Sequence, residues 1–124
     1  MDLTQYESNG YIESEGSYAV TITKAEIAIS KRDVEQTCVT FMDEVTRNTI
    51  TLRVNNEEKY LWKIAKLARA CGLTDKQMIN FEPSYLINKR LIINVVQNDQ
   101  YYNVDTFQAV DQTTNKPNRD DVPF

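Results

Sequence analysis

Between Ser17 and Ile29 apolar residues alternate with polar ones, but the alternation changes parity partway. Tyr18, Val20 and Ile22 fall on even positions, whereas in the stretch from Lys24 to Ile29 the large apolar residues, Ile27 and Ile29, fall on odd ones. Successive side chains of a strand point to opposite faces. One continuous strand can therefore turn both halves toward a core only if it bulges or bends near Lys24. A long first strand bent across two sheet halves suits a small closed barrel.

The rest of the chain fits that geometry. Thr37 to Val45, rich in Val, Thr and Phe, reads as a second strand, and Thr49-Ile50-Thr51-Leu52-Arg53-Val54 alternates cleanly as a third, with residues 43–48 as the hairpin between them. A helix follows. Asn55 stands three residues ahead of Glu58 as a capping pair, Tyr60, Leu61, Ile64, Ala65, Leu67, Ala68 and Cys71 form its apolar stripe, and Gly72 ends it. A shorter helical piece is expected after Thr74-Asp75, ending before Pro83. Arg90 to Val96 is the fourth strand and Tyr101 to Val110 the fifth, joined by the polar turn Gln97-Asn98-Asp99-Gln100. Three strands, a helix and two strands is the order of the five-stranded Greek-key barrel called the OB-fold. A sandwich with a helix across one edge is the alternative. Residues 1–110 are thus expected to form one mainly-β domain, and residues 111–124, with little to bury before their end, a disordered acidic tail.

Composition excludes several kinds of chemistry. The 124 residues include no histidine, so Ser-His-Asp and Cys-His catalysis and histidine-ligated metals fall away. Three isolated glycines, Gly10, Gly16 and Gly72, make no phosphate-cradling loop. Cys38 and Cys71 cannot make a four-thiolate zinc site and read as reduced, small apolar fillers. No acid stands out from solvated surface charge. The expectation is a protein without catalytic activity, cofactor or metal. The chain shows neither a membrane-spanning apolar run nor, at Met1-Asp2-Leu3-Thr4-Gln5, a signal-peptide start, so a cytoplasmic location is expected.

The net charge of -4 is unevenly distributed. Residues 24–90 hold twelve Lys and Arg against nine Asp and Glu, between two acidic ends. In a barrel of this type, ligands cross the second and third strands between the loop joining strands one and two and the loop joining strands four and five. Candidates there are Lys31 and Arg32 in the first loop, Arg47 in the hairpin, Arg53 on the outward parity of the third strand, and Tyr101 and Tyr102 after the other loop. Adjacent on a strand, the two tyrosines should point to opposite faces, one into the core and one out. Lys89, just ahead of the fourth strand, joins the candidates. Phe41 shares the parity of Val39 and reads as core. On the helix, Lys59, Lys63 and Lys66 share one face with Trp62 at its flank. That face is either a base-stacking, phosphate-tracking surface or a solvated one whose lysine stems cover an indole at the core margin, and the pattern favours the second.

The last five residues, Asp120-Asp121-Val122-Pro123-Phe124, place a ring and a free carboxylate beside two acids. Such an ending can seat its ring in a partner's apolar pocket while basic residues take the carboxylates. It resembles the acidic tip of bacterial single-stranded DNA-binding proteins, which recruits replication, recombination and repair proteins. The barrel region resembles a family of small phage proteins likened to single-stranded DNA-binding proteins, through Gly16-x-Tyr18-x-Val20-x-Ile22-x-Lys24-Ala25-Glu26 and Leu61-Trp62-x-Ile64-x-x-Leu67-x-x-Ala70-x-Gly72-Leu73. Asn48 and Asn88 stand where related sequences often carry glycine, and asparagine is the residue that best tolerates a left-handed backbone after glycine. The resemblance implies a protein that coats and protects single-stranded DNA in phage replication or recombination, in the host cytoplasm, as a dimer or larger homo-oligomer, and that recruits partners through its tip. The alternative is an OB-fold adaptor that binds protein and uses the tip to engage or compete for host replication proteins.

Overall fold

The parity change in the first strand is met by a bulge. In the computed structural model, which describes residues 10–110, strand β1 (Gly16–Ile29) pairs antiparallel with β2 (Glu35–Asp43), and the register shifts between Ile22, opposite Phe41, and Lys24, opposite Thr40. The first half of β1, from Gly16 to Thr21, also pairs with β4 (Arg90–Asn98). With β3 (Thr49–Asn55) beside β2 and β5 (Tyr101–Ala109) beside β4, the strands make one antiparallel sheet in the order β3-β2-β1-β4-β5. A second irregularity, between Asn94 and Val95, sets Asp105 outside the β4–β5 pairing. The expected tail and its tip lie outside the described residues.

The inward side chains form one core. Val20, Ile22, Val39, Phe41, Leu91, Ile93, Val95 and Val104 are buried from the strands, and Leu67 and Leu86 from the connection between β3 and β4. Burying each such side chain is favourable by about 1.5–3 kcal/mol. Phe41 of β2 meets Phe107 of β5 with ring centroids 6.4 Å apart. Two strands, β1 and β4, separate β2 from β5 in the hydrogen-bonded order, so the rings touch only because the sheet curls strongly.

The connection between β3 and β4 carries a 3₁₀ turn (Glu58–Tyr60), α1 (Leu61–Ala70), a short α2 (Asp75–Ile79) and a second 3₁₀ turn (Pro83–Leu86). Asn55 does not cap the helix as expected. It closes β3, where its Oδ1 accepts from Gln36 Nε2 at 2.8 Å, and α1 begins six residues later without a side-chain cap. The other end follows the sequence. Gly72 takes φ +85°, its N–H donates to Arg69 O, and Leu73 N–H donates to Ala68 O, the paired bonds of a Schellman ending with Leu73 buried beyond it. Thr74 and Gln77 form a capping box that starts α2.

Two expectations for burial fail. Beyond the bulge only Ala25 is buried, whereas Ile27 and Ile29 are 46% and 63% exposed. There β1 outruns the layer that covers it, and Ile27 lines an open apolar cleft of about 670 Å³ with Leu61, Ile64, Met78 and Phe81. The helix stripe is also narrower than read, since α1 buries only Ile64, Leu67 and Ala68. Among the described residues, no helix is long and apolar enough to cross a membrane.

Three strands are tied together at one polar point. Arg90 of β4 grips Glu44, just after β2, through Nε–Oε2 at 2.6 Å and Nη2–Oε1 at 2.9 Å, and Thr21 of β1 donates its hydroxyl to the same carboxylate. The Arg90 guanidinium holds the Glu44 carboxyl below its ordinary value of 4.5, against an opposing effect of burial, with Thr21 assisting. A carboxyl depressed by folding stabilises the fold above its unfolded pKa and ceases to as pH falls through the folded one. Glu44→Gln should therefore be less stable than the parent at neutral pH by about 0.5–1 kcal/mol, as for a partly exposed pair. In urea melts the difference should shrink as pH falls below the ordinary glutamate range, where the carboxylate that holds Arg90 is progressively protonated.

Candidate nucleic-acid interface

Alternation along β3 decides which side chains face out. Ile50, Leu52 and Val54 point into the core, and Thr51 and Arg53 point to solvent, as the sequence predicts. Register extends that outer face across the sheet in rows. Arg53 lies opposite Cys38, which lies opposite Glu26, and Thr51 lies opposite Thr40, which lies opposite Lys24. The hydroxyls of Thr40 and Thr51 are 3.1 Å apart. Lys24, Lys31, Gln36, Cys38, Thr40 and Arg53 line a groove of about 500 Å³ on this face.

The β1–β2 loop closes one end. Ser30 Oγ accepts from the backbone N–H of both Arg32 and Val34, and Asp33, at φ +61°, donates its N–H to Ser30 O. This compact turn holds Lys31 and Arg32 exposed in a defined place. A second groove, of about 440 Å³, runs from Thr51 and Arg53 to Asn98, Asn103 and Asp105 on β4 and β5. Arg53 thus stands where the two grooves meet. Tyr101 is 64% exposed and shares the outward parity of Asn103, while Tyr102 packs against the core, which resolves the tyrosine pair as expected from their adjacency.

Two predicted site residues are not brought to this face. Arg47 lies in the hairpin at the far end of β3, six residues or about 20 Å of extended chain from Arg53. There Arg47 (φ +67°), not Asn48, adopts the left-handed conformation, while Asn88 (φ +69°) does so as expected. The hairpin is organised by buried Asp43, which accepts from Val45 N–H and the Thr46 hydroxyl. Lys89 lies across the sheet, where its carbonyl accepts from Ile22 N–H and its side chain is near enough to Cys71 to act on that thiol.

The two cysteines differ. Cys71 fits the filler role, and burial pushes its thiol up to about 12, only partly offset by Lys89, so it stays protonated at neutral pH. Cys38 is not a core filler, because its even parity in β2 sets it in the groove beside Arg53. Charge on the face is modest. The Lys24–Glu26 ion pair at 3.4 Å offsets one cation, whereas Lys31, Arg32 and Arg53 belong to none of the three ion pairs found among the described residues. Sequence reading passed over the uncharged lining, Gln36, Thr40, Thr51, Asn98 and Asn103, for which outward parity was the available signal. Trp62 stands 57% exposed, with the Lys66 ammonium 5.8 Å from the centre of its ring.

These features define a mainly-β protein with a polar, mildly cationic channel across its outer face, flanked by the β1–β2 and β4–β5 loops. No protein-family model matches the chain, and no curated protein does.

Proposed function

We propose that this protein binds single-stranded DNA along the outer face of β1, β2 and β3. The observation that carries the reading is the junction at Arg53, where a groove from the Lys31 loop meets one from the β4–β5 turn. We read the curled sheet as an OB-type barrel left partly open between β3 and β5, a form in which strands two and three and these same two loops receive oligonucleotides. Arg53, Lys31 and Arg32 supply phosphate contacts, Tyr101 a stacking ring, and the amides and hydroxyls of the lining contact sugar and base without fixing sequence. In this reading the protein coats and protects single strands in phage replication or recombination, in the host cytoplasm. The tip, Asp120 to Phe124, recruits partner proteins, supported by its chemistry and by its resemblance to bacterial tips. Assembly into a dimer or larger homo-oligomer multiplies the affinity of a single mildly basic face. A second reading, a protein-binding adaptor that binds no DNA, is favoured by the apolar cleft at Ile27 and Leu61.

Titration of fluorescently labelled oligo-dT and of a duplex at two salt concentrations separates the two. The first reading predicts preferential, salt-sensitive binding of the single strand, unchanged or slightly tighter when residues 120–124 are removed, because the tip carries the sign of DNA. Capture of host or phage proteins should fail with that truncation. Equal indifference to single strand and duplex would leave the adaptor.

A further inference from the structure

The Arg53 junction opens a third way. Leu52, Arg53, Val54 and Asn55 of β3, with Tyr60, Trp62 and Lys63 at the start of α1, enclose a cleft of about 230 Å³, and Arg53 is a wall of this cleft as well as of both grooves on the sheet. We propose that the single strand continues over Arg53 onto the N-terminal end of α1, where Trp62 and Tyr60 stack unpaired nucleobases. This inference rests on the single-stranded DNA reading and extends its path to a second binding element.

Packing does not account for the two rings. The helix is held by Ile64, Leu67 and Ala68, yet Trp62 is 57% and Tyr60 40% exposed at its N-terminal end. Each ring carries an ammonium group. Lys59 Nζ lies 5.2 Å from the Tyr60 centroid and Lys66 Nζ 5.8 Å from the Trp62 centroid. A base that stacks on such a ring takes the face over which the ammonium lies, and the displaced cation is left at hand to meet the phosphate. The platform is fixed relative to the sheet, because Lys63 Nζ donates to Val104 O of β5 at 3.1 Å. Glu57 and Glu58, exposed in the preceding turn, offset part of the positive charge. Stacking rather than charge is therefore the main contribution here, which suits a ligand with an open π face and excludes a duplex, whose bases are already stacked.

Trp62 is the sole tryptophan, so indole emission from the full chain reports on this position alone. Anisotropy of a labelled oligo-dT follows binding by any part of the protein, and indole emission follows contact at α1. The expected result is quenching of Trp62 that tracks the anisotropy isotherm. Trp62→Ala should weaken binding roughly 5- to 20-fold, within the range for loss of one stacked base, with an unchanged salt slope because no phosphate contact is lost. Trp62→Phe, which keeps a π face, should recover most of the affinity. Both variants should melt like the parent, since the replaced ring is mostly outside the core. Binding by anisotropy with unaltered affinity in Trp62→Ala, whether or not the emission changes, would overturn the extended path and leave the sheet face standing. Absence of any oligo-dT binding would overturn both.

Discussion

Replacing Arg53 with Glu should weaken single-stranded DNA binding by about 100-fold at moderate salt. The loss combines a charge-assisted hydrogen bond, about 1.5–3 kcal/mol, with repulsion of the same phosphate by the new carboxylate. Position makes this arginine the most sensitive residue of the face. It is exposed on β3, outside the ion pairs of the neighbouring strands, and forms a wall of all three clefts through which the strand is proposed to pass. Its neutral replacement, Arg53→Ala, should flatten the slope of log affinity against log salt by about 0.7, the loss expected for one single-strand phosphate contact, and Arg32→Ala should do likewise. Arg47→Ala makes the same change of charge at the far end of β3 and should leave the slope alone. If all three arginines flatten the slope equally, binding is a diffuse response to net charge and the groove has no special part in it.

Phe41→Ala should destabilise the fold by about 3–5 kcal/mol, a large share of the 5–15 kcal/mol that holds typical domains together. The ring is fully buried on β2 and packs against Phe107 of β5, so its removal opens a cavity between opposite sides of the curled sheet. Urea unfolding followed by circular dichroism measures the loss, and Phe41→Leu, which retains most of the volume, should cost under about 1.5 kcal/mol. A cost near 1 kcal/mol for Phe41→Ala would mean that the sheet relaxes into the space and that the contact does not hold its curl.

What the residues disclosed in advance follows from what local chemistry controls. Period-two alternation in β3 settled the directions of Leu52 and Arg53, because burial of one face leaves no other register. Gly72 marked the end of α1 because few residues other than glycine take φ near +85° without strain. The misses were decided by tertiary surroundings. Ile27 and Ile29 have the right parity for a core, but the core does not reach them. Asn55 has the chemistry of a cap, yet Gln36 on the next strand competes for it. Residues before Gly16 gave no periodic signal, although Ile12 is buried and residues 10–12 are strapped along β3 by the exchange of hydrogen bonds with Thr49. At the site, parity identified Arg53 and adjacency split Tyr101 from Tyr102. The separation of Arg47 and Lys89 from the groove depends on which end of each strand meets which loop, and no short segment encodes that.

The double partnership of β1 also has a temporal side. From Val20 to Ile29 its partner is β2, which follows within a few residues, and β2 and β3 can close as a meander once Asn55 has emerged. The segment from Gly16 to Thr21 has to wait for Arg90 to Val95, some 70 to 80 residues further along the chain. At the usual pace of synthesis, about 5–20 residues per second, that wait is roughly 4–16 s. Throughout it, the side of β1 that will join β4 presents unpaired backbone groups, with Val20 and Ile22 not yet covered by Leu91 and Ile93. The nascent chain is thus open to misassociation along this part of β1 until β4 has been made.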